Sequence, residues 1–275
     1  MSVEPATRCL FCGSTDGKRS KEHILRRSFE KVFPKADELW FSEQFNEKVT
    51  LRKRPIGQFD LVLKAVCRDC NHGWLESLED EASDMISQLV FASGDAAFRP
   101  HCLERLGLWF YVRALLRTHL SPEGRAPIRL FEEVFASKTV PTACDMKVGL
   151  CESSIFEAGA HQSVLLGRSR SYVAHVGIGL GPLLFLATIH DGQPEGAELA
   201  RCVAEAARTW FPGRFLGLNP VNYPGRVEVL TELEGKTAAV SQAILMGMRP
   251  PLDQLGNAID FKRAIPSNFH SSLRR

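Results

Sequence analysis

Two Cys-x-x-Cys pairs constrain the N-terminal part of this chain more than any other feature of its sequence. The first pair is Cys9 and Cys12, and the second is Cys67 and Cys70. Each short spacing lets a tight turn aim two sulfurs at one ion, and two separated knuckles complete a tetrahedral site. The sequence therefore predicts a closed, structural Zn²⁺ site built from these four cysteines.

The other four of the eight cysteines form no such pair, and they lie in apolar contexts: Cys102, Cys144, Cys151 and Cys202. Scattered cysteines of this kind indicate buried thiols in a reducing compartment. No apolar leader follows the basic residues near the N-terminus, and no stretch is long and apolar enough for a transmembrane helix. We therefore expect a soluble, cytoplasmic protein without a membrane partner.

The chain is long enough for a small module followed by a larger domain, with 275 residues of which 44% are hydrophobic. Its formal net charge of +2 excludes a protein that is strongly basic over its whole surface. Basic residues nevertheless outnumber acidic residues within residues 1–70. A local basic surface near the two Cys pairs is therefore expected.

Helical periodicity is clear on both sides of a break near residues 92–100, which contains Gly, Ser, Asp and Pro. One helix is predicted over 72–91, directly after the second Cys pair, and another over 102–120. The break predicts an N-terminal module at 1–95 and a larger domain at 96–275. Three arginines of the second helix either face solvent or contact a phosphate backbone: Arg105, Arg113 and Arg117. We expect the solvated position, because an amphipathic helix usually turns its charges to water.

Apolar runs and alternating patterns predict strands in the rest of the chain. Between the Cys pairs, residues 39–66 are predicted to be extended, with an interruption at 55–57, after a helical or turn-like segment at 22–33. Further strands are predicted at 146–151, 163–166, 172–178, 183–190 and 226–230, and helices at 195–210 and 236–247. This mixture predicts an α+β fold with a mixed or antiparallel sheet in the larger domain.

Three polar residues beside the predicted zinc site indicate a second metal environment. Glu22 and His23 are neighbours between the two pairs, and Asn71 directly follows the second pair. A neutral imidazole accepts a proton near physiological pH, and carboxylate and amide oxygens suit a hard ion such as Mg²⁺ or Mn²⁺. The sequence therefore predicts His23 as a base, with Glu22 and Asn71 as oxygen ligands of a catalytic divalent ion.

Three motifs follow one another in a recognisable order: Cys9-x-x-Cys12, then Ser20-Lys21-Glu22-His23-Ile24-Leu25, then Cys67-x-x-Cys70-Asn71 followed by Gly73-Trp74. This order resembles that of the HNH endonucleases of the His-Me finger group, in the subset with two zinc knuckles. The resemblance covers about the first 80–90 residues. It implies that the N-terminal module has a ββα-metal fold.

The resemblance also implies a role for each motif residue. His23 would activate water, Glu22 would be a metal ligand or an orienting acid, and Asn71 would be the second ligand. His72 is a less favoured substitute ligand. Asn46 is the candidate, by residue type alone, for the middle asparagine of the family motif.

The chain departs from the family pattern at two places. Arg26-Arg27-Ser28-Phe29 stands where many relatives have a proline and often two glycines, and Trp74 stands where they have a basic residue. Three basic residues flank the Glu22-His23 pair: Lys21, Arg26 and Arg27. They either contact the phosphates of a nucleic acid or form a solvated basic turn.

Three functions from different classes remain open. The first is a metal-dependent endonuclease that hydrolyses phosphodiester bonds in DNA, serving a mobile element, a phage or a defence system. In it, residues 96–275 would select the substrate, sense a signal or form a homo-oligomer or a contact with a defence-system partner. The second is a noncatalytic zinc module that binds nucleic acid, and the third is a zinc-stabilised scaffold or interaction protein. Only the first two predict salt-dependent affinity for nucleic acid.

Overall fold

The structure is a computed structural model, and it describes fifteen segments of the chain. These are residues 8–16, 18–33, 39–45, 48–54, 57–91, 96–98, 100–122, 124–141, 144–150, 159–166, 171–180, 183–198, 200–201, 216–218 and 228–230. Asn46, Cys151, Cys202 and the helix predicted over 236–247 lie outside the described residues.

The described segments contain both helices and strands, which confirms the predicted α+β class. The strands are β1 Arg19–His23, β2 Leu39–Phe45, β3 Lys48–Arg54, β4 Val62–Cys67, β5 Ala96–Phe98, β6 Cys144–Leu150, β7 Gly159–Leu166, β8 Tyr172–Leu180, β9 Leu183–His190, β10 Leu216–Gly217 and β11 Glu228–Leu230. The helices are α1 Arg68–Cys70, α2 Glu76–Phe91, α3 Pro100–Thr118 and α4 Ile128–Ser137. A 3₁₀ turn covers Arg27–Lys31, and a π-helical turn at Asn71–Leu75 joins α1 to α2.

A seven-stranded sheet is the largest sheet among the described residues, with the order β10-β6-β9-β8-β7-β2-β3. All its neighbouring strands are antiparallel except β2 and β7, which are parallel. The sheet is therefore mixed, and neighbouring strands that both come from residues 96–275 are all antiparallel, in keeping with the expected mixed or antiparallel sheet. All nine residues of β8 are buried, in keeping with a strand covered on both faces.

Helix α3 packs against β8 and β9 of the sheet and against the helices α2 and α4. At the sheet side, the rings of Trp109 and Phe110 lie 5.6 and 5.1 Å from that of Phe185. The expectation that Arg113 and Arg117 are solvated is wrong, since both are 0% exposed. A helix that contacts a sheet and two other helices has little surface left for water, so its central arginines are buried together with the apolar residues. Arg105 is partly exposed and donates to Glu81 at 2.9 Å.

A smaller pair of strands carries the residues that resemble the HNH motif. β1 and β4 are antiparallel, with Arg19 opposite Cys67 and His23 opposite Val62. The chain then enters α1, the π-helical turn and α2. This order of strand, strand and helix places His23 at the end of β1 that is remote from the Cys pair.

The hairpin of β2 and β3 lies between the two Cys pairs in sequence but belongs to the seven-stranded sheet through the pairing of β2 with β7. The buried apolar residues likewise form one cluster that runs from Cys9 to Leu218. The division into domains at 1–95 and 96–275 stays a prediction, and these contacts join its two sides. β5, which pairs with β11, lies within the expected break at 92–100.

Most predicted elements that fall on described residues are present, with shifted ends. Neither α4 nor β1 was predicted, and β1 contains Glu22 and His23, which were expected in a helical or turn-like segment. Of the helix predicted over 195–210 the structure describes helical residues at 195–198 and 200–201, and residue 194 is helical as well. Cys144 is buried as expected, whereas Cys102 is partly exposed. No helix in the described part of the chain combines the length and the apolar character that crossing a membrane requires.

Candidate metal centre and adjoining histidine site

The four cysteines of the two Cys-x-x-Cys pairs come together. Their sulfur atoms all lie within 4.8 Å of one another, and the Sγ atoms of Cys12 and Cys67 are 3.6 Å apart. Three of the four side chains are buried, and Cys12 is exposed. Four sulfurs at this separation fit the tetrahedral coordination of an ion such as Zn²⁺. The cluster can therefore hold a metal, as the spacing predicted.

The first knuckle is a tight turn held by main-chain hydrogen bonds. Cys9 N donates to Ser14 O at 2.9 Å, and Gly13 N donates to Cys9 O at 3.0 Å. Gly13 has a φ of +70°, a left-handed conformation that favours glycine. Leu10 N donates to Ala65 O at 3.0 Å, which fastens the knuckle to β4.

The second knuckle forms where β4 passes into a helix. Cys67 is the last residue of β4 and caps α1, since its Sγ accepts a hydrogen bond from Cys70 N at 3.4 Å. Cys67 N in turn donates to Cys9 Sγ at 3.3 Å, which links the two knuckles. Main-chain N–H groups therefore point at sulfurs, an arrangement that stabilises thiolates.

The pKa values of the cluster thiols explain why this cluster suits a cation. Burial raises the pKa of the Cys9 thiol, but hydrogen bonds from main-chain N–H groups of Cys67, Cys12 and Phe11 outweigh it and bring the pKa to about 7. Burial raises the pKa of Cys67, and burial together with the neighbouring Cys9 raises that of Cys70. Several buried sulfurs in one small volume resist ionising together, and a bound Zn²⁺ supplies the charge that lets them do so.

Aromatic residues fasten the first knuckle to α4. The Phe11 ring lies edge-on to Trp74 at 5.1 Å and to Phe131 at 5.3 Å, measured between ring centroids. Trp74 also contacts Phe135 at 5.8 Å, and the Lys138 ammonium lies 4.0 Å from the centroid of the Trp74 ring. Trp74, which replaces a basic residue of the family pattern, is therefore a packing residue.

His23 is partly exposed at the end of β1. Burial lowers its pKa below the ordinary 6.5, and the nearby Arg27 guanidinium lowers it further, whereas the carboxylates of Glu79 and Asp60 act in the opposite direction. The lowered pKa therefore favours the neutral imidazole. A neutral imidazole is the form that accepts a proton.

Glu22 points into the protein, as expected for a residue next to the outward His23 on a strand. It is 3% exposed, and Arg113 Nη1 donates to its Oε1. The same Nη1 donates to the main-chain oxygen of His23 at 2.7 Å, and Arg113 Nη2 lies 3.4 Å from Glu79 Oε2. Burial raises the pKa of the Glu22 carboxyl, and the Arg113 guanidinium offsets part of that rise.

Asn71 and His72 occupy different positions at the start of the helix. Asn71 Nδ2 donates to Ser20 Oγ at 2.8 Å, so Asn71 rests against β1. His72 is exposed, and its Nδ1 lies 3.7 Å from Glu76 Oε2, one helical turn onward. Across the segments described here, the four cysteines are the sole group of three or more Cys, His, Asp and Glu ligand atoms this close together.

The basic residues that flank the Glu22-His23 pair differ in their surroundings. Lys21 is exposed. Arg26 forms an ion pair with Asp80, and Arg27 donates to Asp60 at 3.0 Å. Further exposed basic side chains on or next to the pair of β1 and β4 are Lys18, Lys64 and Arg68.

Arg113 and Glu79 are contacts of the site that the sequence interpretation missed. Arg113 is separated from Glu22 by 91 residues in sequence, so no local spacing reveals the pair. One signal was present: Arg113 is flanked by the apolar runs 106–112 and 114–116, interrupted only by glycine. An arginine that is buried among such residues needs an acidic partner, because charged side chains are almost never fully buried unless they are paired.

The chain matches none of the protein-family models, curated proteins or solved structures with which it was compared. The HNH resemblance therefore rests on the motif residues themselves.

Proposed function

We propose that this chain is a metal-dependent endonuclease of the HNH type that hydrolyses phosphodiester bonds in DNA. One observation carries the proposal. His23 ends β1, which pairs with β4, and β4 passes through Cys67 and Cys70 of the four-cysteine cluster into a helix. This order supports a ββα-metal module at the N-terminus, with the sulfur cluster as its structural zinc site.

In this proposal His23 takes a proton from the attacking water. Its lowered pKa keeps a large fraction of the imidazole unprotonated near pH 7. Its main chain is held by the bond from Arg113 to the His23 carbonyl, so the imidazole is carried by a fixed backbone. A base that already lies in place loses less entropy when the substrate binds.

The divalent ion of the proposal would have Asn71 as a ligand, which rests against Ser20 on the strand that ends at His23. The Asn71 amide nitrogen is used in the bond to Ser20, and its oxygen, Oδ1, is the atom suited to a hard cation. His72 is the second candidate ligand. The ion pair with Arg113 favours Glu22 as the orienting acid over Glu22 as a ligand. A bound Mg²⁺ or Mn²⁺ would neutralise charge on the scissile phosphate and on the leaving oxygen.

Exposed basic residues support a polyanionic substrate. Lys21 and Lys64 are exposed on β1 and β4, and Lys18 and Arg68 are exposed beside them. Such residues bind phosphates without reading sequence.

The test is a cleavage assay with plasmid and linear DNA in Mg²⁺, Mn²⁺ or EDTA. The His23→Gln variant should lose activity by at least ~100-fold, the usual scale of general acid–base catalysis. His190→Gln is the matched control, because His190 is also partly exposed but lies on the seven-stranded sheet. Equal nicking by the wild type and His23→Gln would overturn the role of His23. Nicking by the wild type that is as fast in EDTA as in Mg²⁺ or Mn²⁺ would overturn the role of the divalent ion.

A noncatalytic zinc module that binds nucleic acid is the second candidate. It is favoured by the absence of a second close ligand group among the described residues and by the burial of Glu22. This candidate predicts salt-dependent DNA binding with no cleavage under any metal condition. A scaffold protein would show neither binding nor cleavage.

A further inference from the structure

Arg113 makes three contacts that meet at the end of β1. Nη1 donates to the Glu22 carboxylate and to the main-chain oxygen of His23, and Nη2 lies 3.4 Å from the Glu79 carboxylate. The Arg113 side chain is 0% exposed, and those of its two acidic partners are 4% and 10% exposed. Arg113 therefore joins three elements: β1 through Glu22 and His23, α2 through Glu79, and its own helix α3.

We infer that Arg113 is a positioning residue for His23. Arg113 lies on α3, outside the segment that resembles HNH nucleases, and it fixes the end of β1 against α2. This inference rests on the proposed function for its consequence in catalysis. The hydrogen bond acts on the His23 carbonyl, so it restrains the backbone that carries the imidazole. Arg113 itself does not touch the water or the phosphate.

The chemistry of this cluster requires a guanidinium. A planar guanidinium presents several donors in a fixed fork, so one side chain can serve two carboxylates and a carbonyl together. A lysine ammonium is a compact charge with different geometry, and it would keep the charge balance while losing part of this set of contacts. Replacement of Arg113 by lysine therefore tests whether the geometry of the guanidinium matters when the positive charge is kept.

The experiment compares the full-length, zinc-loaded wild type with Arg113→Lys, Arg113→Met and Arg117→Lys. Arg117 is the matched control, because it is equally buried on α3 and its replacement leaves the bond to the His23 carbonyl in place. Cleavage kinetics are measured per folded, zinc-loaded molecule. Amide hydrogen exchange is measured at Ile24, whose N–H bonds to Leu61 O directly after His23.

We expect kcat to fall about 10-fold in Arg113→Lys and at least about 100-fold in Arg113→Met, with KM for DNA within about 2-fold of the wild type. Arg117→Lys should keep kcat within about 3-fold. Ile24 exchange should accelerate in the Arg113 variants, while exchange at the Leu10 amide in the zinc knuckle stays unchanged.

Two outcomes would overturn the inference. One is wild-type kcat in folded Arg113→Lys together with unchanged Ile24 exchange. The other is an equal loss in Arg117→Lys, which would show a general effect of disturbing α3. If the wild type does not cleave DNA, the proposed function fails by itself, and the exchange rates of Ile24 and Leu10 still decide whether Arg113 fixes the end of β1. If Arg113→Met does not fold, the kcat and the Ile24 exchange rate of Arg113→Lys decide whether the inference holds.

Discussion

The main-chain oxygen of Leu218 occupies the space that a side chain at Gly107 would need, because a Cβ at that position would lie 2.3 Å from it. Gly107 is in α3, and Leu218 directly follows β10 and donates from its N–H to Met146 O at 2.8 Å. The close approach of α3 to this part of the sheet therefore depends on glycine.

Gly107→Ala should destabilise the protein by about 3 kcal/mol, since relief of the overlap requires movement of the backbone. Thermal unfolding of this variant and of Glu104→Ala, an exposed position on the same helix, provides the measurement. Equal melting temperatures for Gly107→Ala and the wild type would contradict the close packing.

Replacement of one cluster cysteine should abolish the metal binding that the four-cysteine cluster predicts. Cys70→Ser leaves three thiols of a four-sulfur site, so we expect zinc content to fall from about one ion per chain towards zero. Atomic absorption on purified protein measures this. Cys102→Ser is the control, because Cys102 lies outside the cluster, and its zinc content should match that of the wild type. Retention of zinc by Cys70→Ser would argue against the four-cysteine site.

Charge changes near His23 should move its titration in opposite directions. Arg27 lowers the His23 pKa and Asp60 raises it. Arg27→Gln should therefore raise the pKa, and Asp60→Asn should lower it further below 6.5. Because the unprotonated imidazole is the proposed base, the acid limb of the cleavage profile should move with the pKa. NMR titration of the His23 ring in the DNA-free protein makes the measurement, and shifts of the same sign in both variants would refute the prediction.

Two buried histidines should make stability fall in mild acid. Burial lowers the pKa of His119 and of His175 to about 4, whereas the unfolded chain has the ordinary 6.5. Between pH 6.5 and about pH 4, the unfolded state binds protons on these histidines and the folded state does not. Stability should therefore be full above pH 6.5 and should decrease by about 1.4 kcal/mol per pH unit for each histidine as pH falls towards 4.

Urea unfolding at several pH values tests the acid effect. His175 bonds through Nδ1 to Thr188 Oγ1 at 3.0 Å, so His175→Asn is expected to be less stable at pH 7. Its stability should nevertheless decrease less steeply between pH 6.5 and 5 than that of the wild type. Parallel curves for the two proteins would exclude His175 as a source of the acid sensitivity.

If the protein binds DNA as proposed, the exposed lysines of β1 and β4 should set the salt dependence of that binding. Lys21→Gln and Lys64→Gln should each reduce the slope of log K against log salt by about 1 if each lysine neutralises one phosphate. Lys31→Gln is the control, as Lys31 is exposed but lies outside this pair of strands. Slopes unchanged by both substitutions would place the DNA elsewhere on the protein.

The parts of the fold that depend on local pattern were predictable. The helical period placed a helix over 102–120 that the structure has at Pro100–Thr118, and apolar runs located β8 and β9. The same local pattern gave the wrong expectation that Arg113 is solvated. The helical period shows which residues share a face of the helix, but it does not show which other elements cover that face. Burial of that face depends on α2 and the sheet, which are distant in sequence.

For the candidate site, the sequence by itself determined the four-cysteine cluster and the position of Glu22 and His23 between its two halves. Short Cys-x-x-Cys spacings encode geometry directly, because a tight turn fixes both sulfurs. Only the tertiary structure decided that Glu22 is buried in an ion pair with Arg113. It also decided that β2 and β3, which lie between the Cys pairs in sequence, belong to the seven-stranded sheet. Ion pairs and strand pairings between distant residues depend on how complete elements pack, and no local spacing records that packing.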